Sequence, residues 1–331
     1  MNLAIVILNW NGLKHLQVFL PSVVHYAEGH PIYVVDNASS DASVVWLSEN
    51  YPSIQLVLNS QNEGFCKGYN LGLKHIQADY FVLLNSDVEV TENWISPILR
   101  MMENDADIAA CQPKILSFSE KQKFEYAGAG GGLIDWLGYP FCRGRIFDSL
   151  EDDRGQFDDI QEVFWASGAC FFVKASLFYE LGGFDETFFA HMEEIDLCWR
   201  LKTRGYKIMY CGQSKVYHLG GGTLQKESPF KSFLNFRNGL CLLYKNLPQK
   251  RLASTLFIRM VLDGVAGIRH LLKGELALLW SILKAHGHFY RFLFQNKLKR
   301  DNVKNIEVKP TLYSSIVWEY FMKGKKKYAE L

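Results

Sequence analysis

Acidic and imidazole side chains stand at or just after the ends of three hydrophobic runs in this sequence. Asp36 follows IYVV, Asp87 follows YFVLLNS, and His218 ends KVYH. A carboxylate at a strand end can bond a nucleoside base or ribose, or bind a hard cation that also holds a diphosphate. His218 could complete such a metal site from another strand. Asp residues there also form Asx turns and helix N-caps, and a lone His is often structural, so both interpretations stay open.

A second acidic cluster, Glu193, Glu194 and Asp196, lies within FFAHMEEIDLCWRL. Like charges this close repel one another unless a cation or a substrate offsets them. A helix start would stabilise the two glutamates by ~0.3–1 kcal/mol through the macrodipole, which is the purely structural explanation. It does not explain the Phe and Met residues around them. A carboxyl group in apolar surroundings has a raised pKa and suits general-base chemistry, which is our hypothesis for this cluster.

Short apolar runs, rich in β-branched residues, predict the strands that position these side chains. They are Leu3–Leu8, Ile32–Val35, Ile54–Leu58 and Tyr80–Leu84. Helical patterns between them cover Leu13–Tyr26, Ala42–Asn50 and Gly68–Ile76. Strands and helices that alternate in this way predict an α/β fold with a doubly wound mixed sheet and helices on both faces. Ligands of such sheets bind at the carboxyl ends of the strands.

The second half of this region is less regular. We predict a long irregular insertion over Phe118–Gln161, in which the glycine run 128–132 forms a flexible loop. That run does not complete G-x-G-x-x-G, and no G-x-x-x-x-G-K-[ST] occurs, which disfavours dehydrogenases and P-loop proteins. Beyond it we predict one bent buried strand over Val163–Val173, short helices over Leu177–Leu181 and Ile195–Thr203, and short strands over Lys207–Tyr210 and Lys215–His218.

Composition bounds the class of protein. The 331 residues are 48% hydrophobic and 21% charged, as in a folded globular protein. The net charge of +1 conceals a division: residues 1–224 contain 16 Lys and Arg against 28 Asp and Glu, and residues 225–331 contain 20 against 7. The basic part predicts contact with an anionic surface. The acidic part is not typical of nucleic-acid binding, so we expect no nucleic-acid partner.

The cysteines and the N-terminus bear on localisation. Seven scattered cysteines without a C-x-x-C indicate reduced thiols, as in the cytoplasm. The N-terminus MNLAIVILNWNG has no basic segment or cleavage site of a signal peptide, and no uncharged apolar stretch is long enough for a transmembrane helix. We therefore expect a cytoplasmic protein.

Six ordered segments together resemble family 2 glycosyltransferases of the rhamnosyltransferase-like bacterial type. They are IVILNWNG, VVDNASSD, NEGFCKGYNLGL, LLNSDVEV, WASGACFFVKASLFYELGGFDETFFAHMEEIDLCWRLKTRGYKI and VYHLGGG. The resemblance covers residues 1–224 and implies a GT-A fold, with a nucleotide-sugar-binding half over 1–115 and an acceptor-binding half over 116–224. It implies inverting transfer from a nucleotide sugar with Mg²⁺ or Mn²⁺. Residues 225–331 would form a basic amphipathic helical extension.

The resemblance also implies roles for individual residues. The nucleotide-sugar-binding positions would be Asn9, Trp10, Asn11, Asp36, Gly64, Lys67, Asn70, Asn85 and Ser86. By similarity, the first three surround the base, Asp36 bonds the base or ribose, and the three that follow lie near the nucleotide and its diphosphate. Asp87 would bind the metal, and His218 would complete its shell. Glu193 and Glu194 would form the acidic pair, with Glu194 in the place of the base.

Two features depart from the family pattern. The D-x-D motif is replaced by Asn85-Ser86-Asp87, which lacks the first carboxylate. Glu194 replaces the usual Asp and adds one methylene, so it stays open whether Glu193 or Glu194 reaches the acceptor hydroxyl.

From the resemblance we expect a bacterial surface-polysaccharide enzyme, such as one of lipopolysaccharide synthesis. The favoured donor is dTDP-rhamnose, and the acceptor would be lipid-linked or a glycan. Two alternatives remain: a UDP-hexose-dependent transferase, and a non-catalytic nucleotide-sugar-binding scaffold. The carboxylates at positions 87, 193 and 194 argue against the scaffold.

The C-terminal region has apolar residues at helical spacing over Leu252–Leu293, interrupted by charges such as Arg259 and Asp263. A membrane-spanning helix would not carry these charges, whereas an amphipathic helix in the membrane interface would. The basic balance would attract anionic lipid, which predicts a peripheral protein on the inner face of the cell membrane. The alternatives are helices packed on the catalytic part or a homodimer interface.

Overall fold

The chain combines strands and helices up to residue 220, and the described residues after it are mainly helical. The computed structural model describes residues 2–220, 228–300 and 308–331. The strands are β1 (Leu3–Asn9), β2 (Ile32–Asp36), β3 (Gln55–Leu58), β4 (Tyr80–Asn85), β5 (Val88–Val90), β6 (Ile108–Ser117), β7 (Gly132–Ile134), β8 (Pro140–Cys142), β9 (Arg145–Ile146), β10 (Ser149–Leu150), β11 (Ile160–Val163), β12 (Cys170–Lys174) and β13 (Lys207–His218). The α-helices are α1 (Leu13–His25), α2 (Ser43–Asn50), α3 (Gly64–Leu73), α4 (Ser96–Asn104), α5 (Ala175–Glu180), α6 (Glu193–Thr203), α7 (Pro229–Asn246), α8 (Gln249–Leu272), α9 (Leu276–Phe294) and α10 (Ile316–Phe321).

Nine strands of the described chain form one mixed sheet. Eight lie in the order β11-β13-β6-β12-β4-β1-β2-β3, and β5 pairs with β13. β1 is parallel to β2 and β4, and β13 is parallel to β6. β12 runs antiparallel to both β4 and β6, so β6 and β13 point the same way as β4. Strands β1, β2, β4, β6 and β13 therefore end at one edge of the sheet, and the predicted doubly wound mixed sheet is confirmed.

Helices cover both faces of the sheet because its central strands are apolar on both sides. In β1, Ala4 and Val6 join one buried cluster with residues of α3, α5, α6 and α7. Leu3, Ile5 and Ile7 join a second cluster with residues of α1, α2 and α4. Successive strand residues point to opposite faces, so a fully apolar run indicates burial on both sides.

The segment between β6 and β11 contradicts the prediction of an irregular insertion. Strands β7 to β10 form an antiparallel sheet in the order β10-β9-β8-β7. Each has only two or three residues, too few to show a periodic pattern. The glycine run is buried rather than a flexible loop: a Cβ on Gly132 would lie 2.2 Å from Cδ2 of Trp165. This close approach, not chain flexibility, requires the glycine.

Three element boundaries also differ from prediction. The segment predicted as one bent strand over Val163–Val173 forms two strands with different partners, because β11 pairs with β13 and β12 with β4 and β6. The two strands predicted over 207–218 are one strand, β13, with a register shift between Cys211 and Lys215. Helix α3 begins at Gly64 rather than at Gly68.

The C-terminal helices pack on the rest of the chain. Leu240, Leu242 and Leu243 of α7 share a buried cluster with Leu197 and Leu201 of α6. Helices α8 and α9 form a hairpin, and the last segment is tied to β7, where the backbone N–H of Thr311 donates to the Ile134 carbonyl at 3.0 Å. Among the described residues, none of the helices has the length and hydropathy needed to cross a bilayer. The predicted division at residues 224 and 225 stays a prediction.

The contact between α3 and β2 provides a test of the packing. A Cβ on Gly72 would lie 2.5 Å from Cγ1 of Val35, whose β-branched side chain has little freedom to move. We expect Gly72→Ala to lower the free energy of unfolding by about 1–3 kcal/mol through overpacking. Gly287→Ala in α9 is the control, since its Cβ would meet no atom within 4 Å. It should raise stability by about 0.5–1 kcal/mol. Urea unfolding would measure both, and a shift of both variants in the same direction would contradict this packing.

Candidate active site

The ends of β1 and β2 are joined by a buried network around Asp36. The Asn9 amide Nδ2 donates to Asp36 Oδ2 at 2.9 Å, and the Ser39 backbone N–H donates to Asp36 Oδ1 at 2.8 Å. Ser39 Oγ donates to the same carboxylate at 2.6 Å. Asp36 thus forms the Asx turn that was one of its two interpretations, and it already accepts three hydrogen bonds. Asn9 Oδ1 is buried without a hydrogen-bond partner in the described chain.

Trp10 and Asn11 extend this network to the surface. Asn11 has a left-handed backbone with φ of 50°, and its Oδ1 accepts from the Ser40 backbone N–H at 2.7 Å. The Trp10 side chain is 49% exposed beside it. Ser86 lies close to the same turn, because a Cβ on Gly12 would be 3.8 Å from its Oγ. The structure therefore brings Asn9, Trp10, Asn11, Asp36 and Ser86 together at the sheet edge.

The three implied residues of α3 have partners within the protein. The Gly64 carbonyl accepts from Asn37 Nδ2 at 3.0 Å. Lys67 forms an ion pair with Glu63 at 2.7 Å. The Asn70 side chain makes a reciprocal pair with the Phe184 backbone, at 2.8 Å as donor and 3.0 Å as acceptor. These contacts attach α3 to its neighbours, and Asn70 in particular ties it to the segment that leads to α6.

Asp87 and His218 meet at the edge where β4 and β13 end. His218 Nε2 lies 3.2 Å from Asp87 Oδ1, and its Nδ1 lies 3.3 Å from Oε2 of Glu125. All three side chains are buried. Glu125 was not predicted as a site residue. It lies in the segment read as irregular, and nothing in its sequence context marks it; only the tertiary structure places it behind His218.

The charges of this trio support one another. Burial alone would raise the pKa of Asp87, but the charge of His218 and its hydrogen bond more than offset this and lower the pKa. The pKa of Glu125 is also lowered, because its hydrogen bond with His218 and the charge of His218 more than offset its burial. Burial alone would lower the pKa of His218, and the two carboxylates raise it instead to about 10. In this arrangement an imidazolium neutralises part of the two negative charges.

The donor set of Asp87 and His218 fits a divalent cation. Asp87 offers a carboxylate oxygen and His218 an imidazole nitrogen, but the two atoms are paired at 3.2 Å, so a cation bound between them would have to replace the proton on His218 Nε2. Asn85 is partly exposed two residues before Asp87. The described residues contain no preformed group of three or more His, Cys, Asp or Glu ligands. A bound ion would thus depend on these two residues and on ligands from a substrate or water.

Glu193 and Glu194 begin α6, and a short segment between β11 and β12 separates them from the end of β4. The backbone N–H of Asn85 donates to the Ala169 carbonyl at 3.0 Å. A Cβ on the adjacent Gly168 would lie 3.9 Å from Cδ of Glu194 and 4.0 Å from Oε1 of Glu193. Gly168 and Ala169 therefore connect the glutamate pair to the end of β4, two residues before Asp87.

The two glutamates are in an environment that favours their neutral forms. Oε2 of each carboxyl is buried without a hydrogen-bond partner in the described chain. Burial raises the pKa of Glu194 to about 7, even though several backbone N–H groups oppose the shift. Burial, together with the charge of Glu194, raises the pKa of Glu193 well above its ordinary value. Glu193 is 4% exposed, and Glu194 is more accessible.

Asp196 differs from the other two acids of its cluster. It accepts from Arg200 Nε at 2.7 Å and from Asn246 Nδ2 at 2.9 Å, and Lys245 Nζ lies 2.9 Å from its Oδ1. Burial alone would raise its pKa, but Lys245 and Arg200 lower it to about 2. Asp196 is thus a structural anion that joins α6 to α7. The acidic cluster of the sequence therefore contains one structural carboxylate and two carboxyl groups with raised pKa values.

Solved structures with the same architecture define the class of fold. The chain superposes on GalNAc-T7 in complex with UDP, GalNAc and Mn²⁺ with a TM-score of 0.55, at 16% identity, over 74% of this chain and 48% of that one. It superposes on the mannosyltransferase PcManGT of Pyrobaculum calidifontis, in complex with GDP-Man and Mn²⁺, with a TM-score of 0.54, at 12% identity, over 87% of each chain. Both are GT-A glycosyltransferases, so the predicted GT-A fold is confirmed.

Sequence comparison then identifies the family. The model of "Glycosyl transferase family 2" matches residues 4–182, and the chain belongs to this family. It is 24% identical over 242 residues to the low-salt glycan biosynthesis hexosyltransferase Agl10 of Haloferax volcanii, covering 72% of this chain and 74% of that protein. It is 26% identical over 236 residues to N-acetylglucosaminyl-diphospho-decaprenol L-rhamnosyltransferase of Mycobacterium tuberculosis, covering 65% and 75%.

The ion pairs of Asp196 lead to a stability prediction. Its folded pKa of about 2 lies below the ordinary value of 3.8, so its stabilisation is fully present above about pH 4 and is lost as the pH falls towards 2. We expect Asp196→Asn to cost about 3–5 kcal/mol at pH 7, since it leaves buried cations partly uncompensated.

The control is Asp107→Asn, whose exposed carboxylate lies 3.6 Å from Lys207 and should contribute less than about 1 kcal/mol. Urea unfolding at several pH values would measure both. A cost for Asp196→Asn that does not shrink in acid would contradict this assignment.

Proposed function

We propose that this glycosyltransferase is a metal-dependent inverting enzyme that transfers a sugar from a nucleotide-sugar donor to an acceptor hydroxyl. The observation that carries the proposal is that one short segment, Gly168–Ala169, contacts both the glutamate pair and Asn85, which lies two residues before the Asp87–His218 pair. A displacement with inversion needs one group beside the leaving diphosphate and another beside the attacking hydroxyl. The two sites have the electrostatic properties these roles require.

Glu194 is the proposed base. Its pKa of about 7 leaves a substantial fraction ionised at neutral pH, and it is the more accessible of the pair. Glu193 is more deeply buried, and burial together with the charge of Glu194 raises its pKa well above the ordinary value, which makes it the weaker candidate for the base. Glu194 would take the proton of the acceptor hydroxyl as the hydroxyl oxygen attacks the anomeric carbon. The bond from that carbon to the diphosphate oxygen breaks in the same step, and its electron pair leaves with the nucleoside diphosphate.

Asp87 and His218 would hold Mg²⁺ or Mn²⁺. Such an ion, when bound, supplies positive charge that stabilises the departing diphosphate. Asn85 and Ser86 would line the donor beside them. On the other side of the edge, the half-exposed Trp10 ring offers a stacking surface for the base, and Asn9, Asn11 and Asp36 shape the pocket for the nucleoside. In the proposed site, Gly64, Lys67 and Asn70 border the diphosphate from α3.

The favoured donor is dTDP-rhamnose and the favoured acceptor a lipid-linked or polysaccharide hydroxyl in bacterial surface-polysaccharide synthesis. The mycobacterial relative, named as a rhamnosyltransferase that acts on a decaprenol-linked sugar, supports this choice. The archaeal relative, named as a hexosyltransferase, supports a UDP-hexose donor as the second candidate. The buried, pKa-shifted glutamates argue against a non-catalytic scaffold, since such a pair costs stability and is common at catalytic sites.

The proposed base can be tested by its pH dependence. We expect kcat/KM of the full chain, measured with dTDP-rhamnose, a lipid-linked acceptor and Mn²⁺, to fall below a midpoint near pH 7, because Glu194 must lose its proton before it acts. Glu194→Gln should lower kcat roughly 10²–10⁴-fold and retain donor binding. Asp87→Ala should also lose turnover.

The exposed Glu180→Gln, on α5, is the matched control and should behave as the wild type. Turnover with a UDP-hexose but not with dTDP-rhamnose would favour the second candidate donor. Wild-type protein without metal-dependent turnover of any nucleotide sugar would support the scaffold instead.

We further propose that the chain meets an anionic membrane surface through the α8–α9 hairpin. Helix α8 has an unusual orientation, because the charged residues Arg259 and Asp263 in its central part face inward. Arg259 Nη1 donates to the Leu137 carbonyl at 3.2 Å, and Asp263 Oδ2 lies 3.0 Å from Nε2 of His286. The exposed side of α8 carries large apolar residues: Phe257, Val261, Val265, Ile268 and Leu272. The exposed side of α9 adds Leu276, Trp280, Leu283, Tyr290 and Phe294.

Charge favours a lipid surface over a second copy of the chain as the occupant of this face. Positions 249–300 contain ten Lys and Arg but only two acids, Asp263 and Glu275. A homodimer through the same face would bring two basic surfaces together, whereas anionic lipid would neutralise them. The peripheral location on the inner face of the cell membrane is part of this proposal.

Vesicle binding of the full chain tests the hairpin. We expect binding to vesicles of phosphatidylglycerol and phosphatidylcholine but little binding to phosphatidylcholine alone. The double variant Val265→Gln/Leu272→Gln should bind about tenfold more weakly, since it removes about 1.4 kcal/mol or more of apolar burial.

Val18→Gln/Val45→Gln, on equally exposed positions of α1 and α2, is the control. Equal binding of the two double variants would contradict the proposal. A dimer in sedimentation that only the α8 variant dissociates would assign the face to a second copy.

A further inference from the structure

The loop before the acidic pair is held in a strained conformation. Three of its non-glycine residues have left-handed backbones: Phe189 with φ of 68°, His191 with φ of 66° and Met192 with φ of 73°. A non-glycine residue rarely adopts this conformation and keeps it only where surrounding contacts enforce it. The last of them, Met192, is the N-cap of α6 and directly precedes Glu193 and Glu194. The loop conformation therefore sets the position of both carboxyl groups.

One side chain of α7 supplies the contacts that enforce this conformation. Asn238 is completely buried, and its amide Nδ2 lies within hydrogen-bond distance of three loop carbonyls. The distances are 3.0 Å to Phe188, 2.8 Å to Ala190 and 2.7 Å to His191. Two N–H bonds thus serve three acceptors within four residues, which leaves the loop little freedom to rotate.

The neighbouring arginine fixes the orientation of this amide. Arg237 Nε donates to Asn238 Oδ1 at 2.8 Å, so the carbonyl side of the amide faces the arginine and Nδ2 faces the loop. Arg237 Nη2 also donates to the Phe188 carbonyl at 2.7 Å and to the Thr187 carbonyl at 3.2 Å. The pair therefore bonds four of the five carbonyls over positions 187–191. The fifth, that of Phe189, accepts from the Cys66 backbone N–H of α3 at 3.3 Å.

We propose that Asn238, oriented by Arg237, is a positioning residue that holds the 187–192 loop so that Glu194 meets the acceptor hydroxyl. This rests on the proposed role of Glu194. Helix α7 would then act on the reaction indirectly, because it touches no reacting atom in the proposed mechanism. It also lies outside the matched family region of residues 4–182. A misplacement of about 1 Å at a reacting group can cost roughly 10²-fold in rate.

The test combines kinetics with amide hydrogen exchange of the full chain. Asn238→Ala should lower kcat by about tenfold to a hundredfold and leave the donor KM within about twofold. Exchange should accelerate in peptides that cover 185–196 and stay unchanged in peptides from β1 to β4. Asn50→Ala is the matched control, since Asn50 Nδ2 bonds a single carbonyl, that of Trp46, on the distant helix α2. It should change neither measurement.

A pH profile separates positioning from a general loss of stability. Water that enters beside a released loop would reduce the burial that raises the pKa of Glu194, so the acid limb of kcat should move to lower pH in Asn238→Ala. The titratable groups that interact with Glu194 are Glu193, Cys66, Cys142 and Cys198, and all four are unchanged in this variant. Arg237→Lys, which keeps the charge but loses the bond to Oδ1, should shift kcat and exchange in the same direction. If Asn238→Ala does not fold, the kcat and loop exchange of Arg237→Lys provide the test of the positioning role.

Faster loop exchange with an unchanged kcat would overturn the positioning role, and so would an unchanged loop exchange. A wild type without transferase activity would reject the proposed function instead. In that case the exchange comparison alone would decide whether Asn238 holds the loop.

Discussion

The rest of the site depends on the burial of two adjacent carboxyl groups at the start of α6. Burial disfavours the ionised forms of Glu193 and Glu194, and neither Oε2 has a partner in the described chain that would offset this cost. Such a pair requires surroundings that favour the neutral forms, and burial accordingly raises the pKa of both groups. The surrounding structure meets this requirement with apolar packing, a left-handed loop and a fixed helix α7.

The contrast within one motif shows how strongly surroundings determine chemistry. Glu194 and Asp196 are two residues apart on α6, yet burial raises the pKa of the first to about 7, and two cations lower that of the second to about 2. Lys245, which lies beside Asp196, comes from α7. Helix α7 thus provides a cation that lowers the pKa of Asp196, and it also bonds the loop that precedes Glu194.

Polar burial organises the C-terminal hairpin in a similar way. Arg259 and Asp263 face the molecule because the backbone carbonyls around Leu137 and the His286 ring can partner them there. The opposite face of α8 is exposed and carries large apolar residues. A helix pattern read alone indicates only that one face is apolar, and the usual assumption that this face is turned inward fails here.

Much of the site at the sheet edge could be predicted before the structure was known. Fully apolar runs such as Leu3–Leu8 determine strands buried on both faces, and residues that follow parallel strands must share an edge. The positions of Asn9, Asp36 and Asp87 follow from that rule, and the order of the motifs was sufficient to indicate the family. These features are local or depend on a simple periodicity, so the amino-acid sequence by itself determines them.

Other features were decided only by contacts between residues far apart in the chain. The strands β7 to β10 are too short to produce a periodic signal, and Gly132 is required by Trp165, a residue 33 positions later that no local pattern connects to it. Glu125 lies next to His218 because its backbone N–H bonds the Ile115 carbonyl of β6, the strand beside β13. Asn238 reaches the carbonyls of 188, 190 and 191 because α7 packs over α6. Pairings of this kind depend on three-dimensional packing, which is why the tertiary structure, and not the sequence pattern, reveals them.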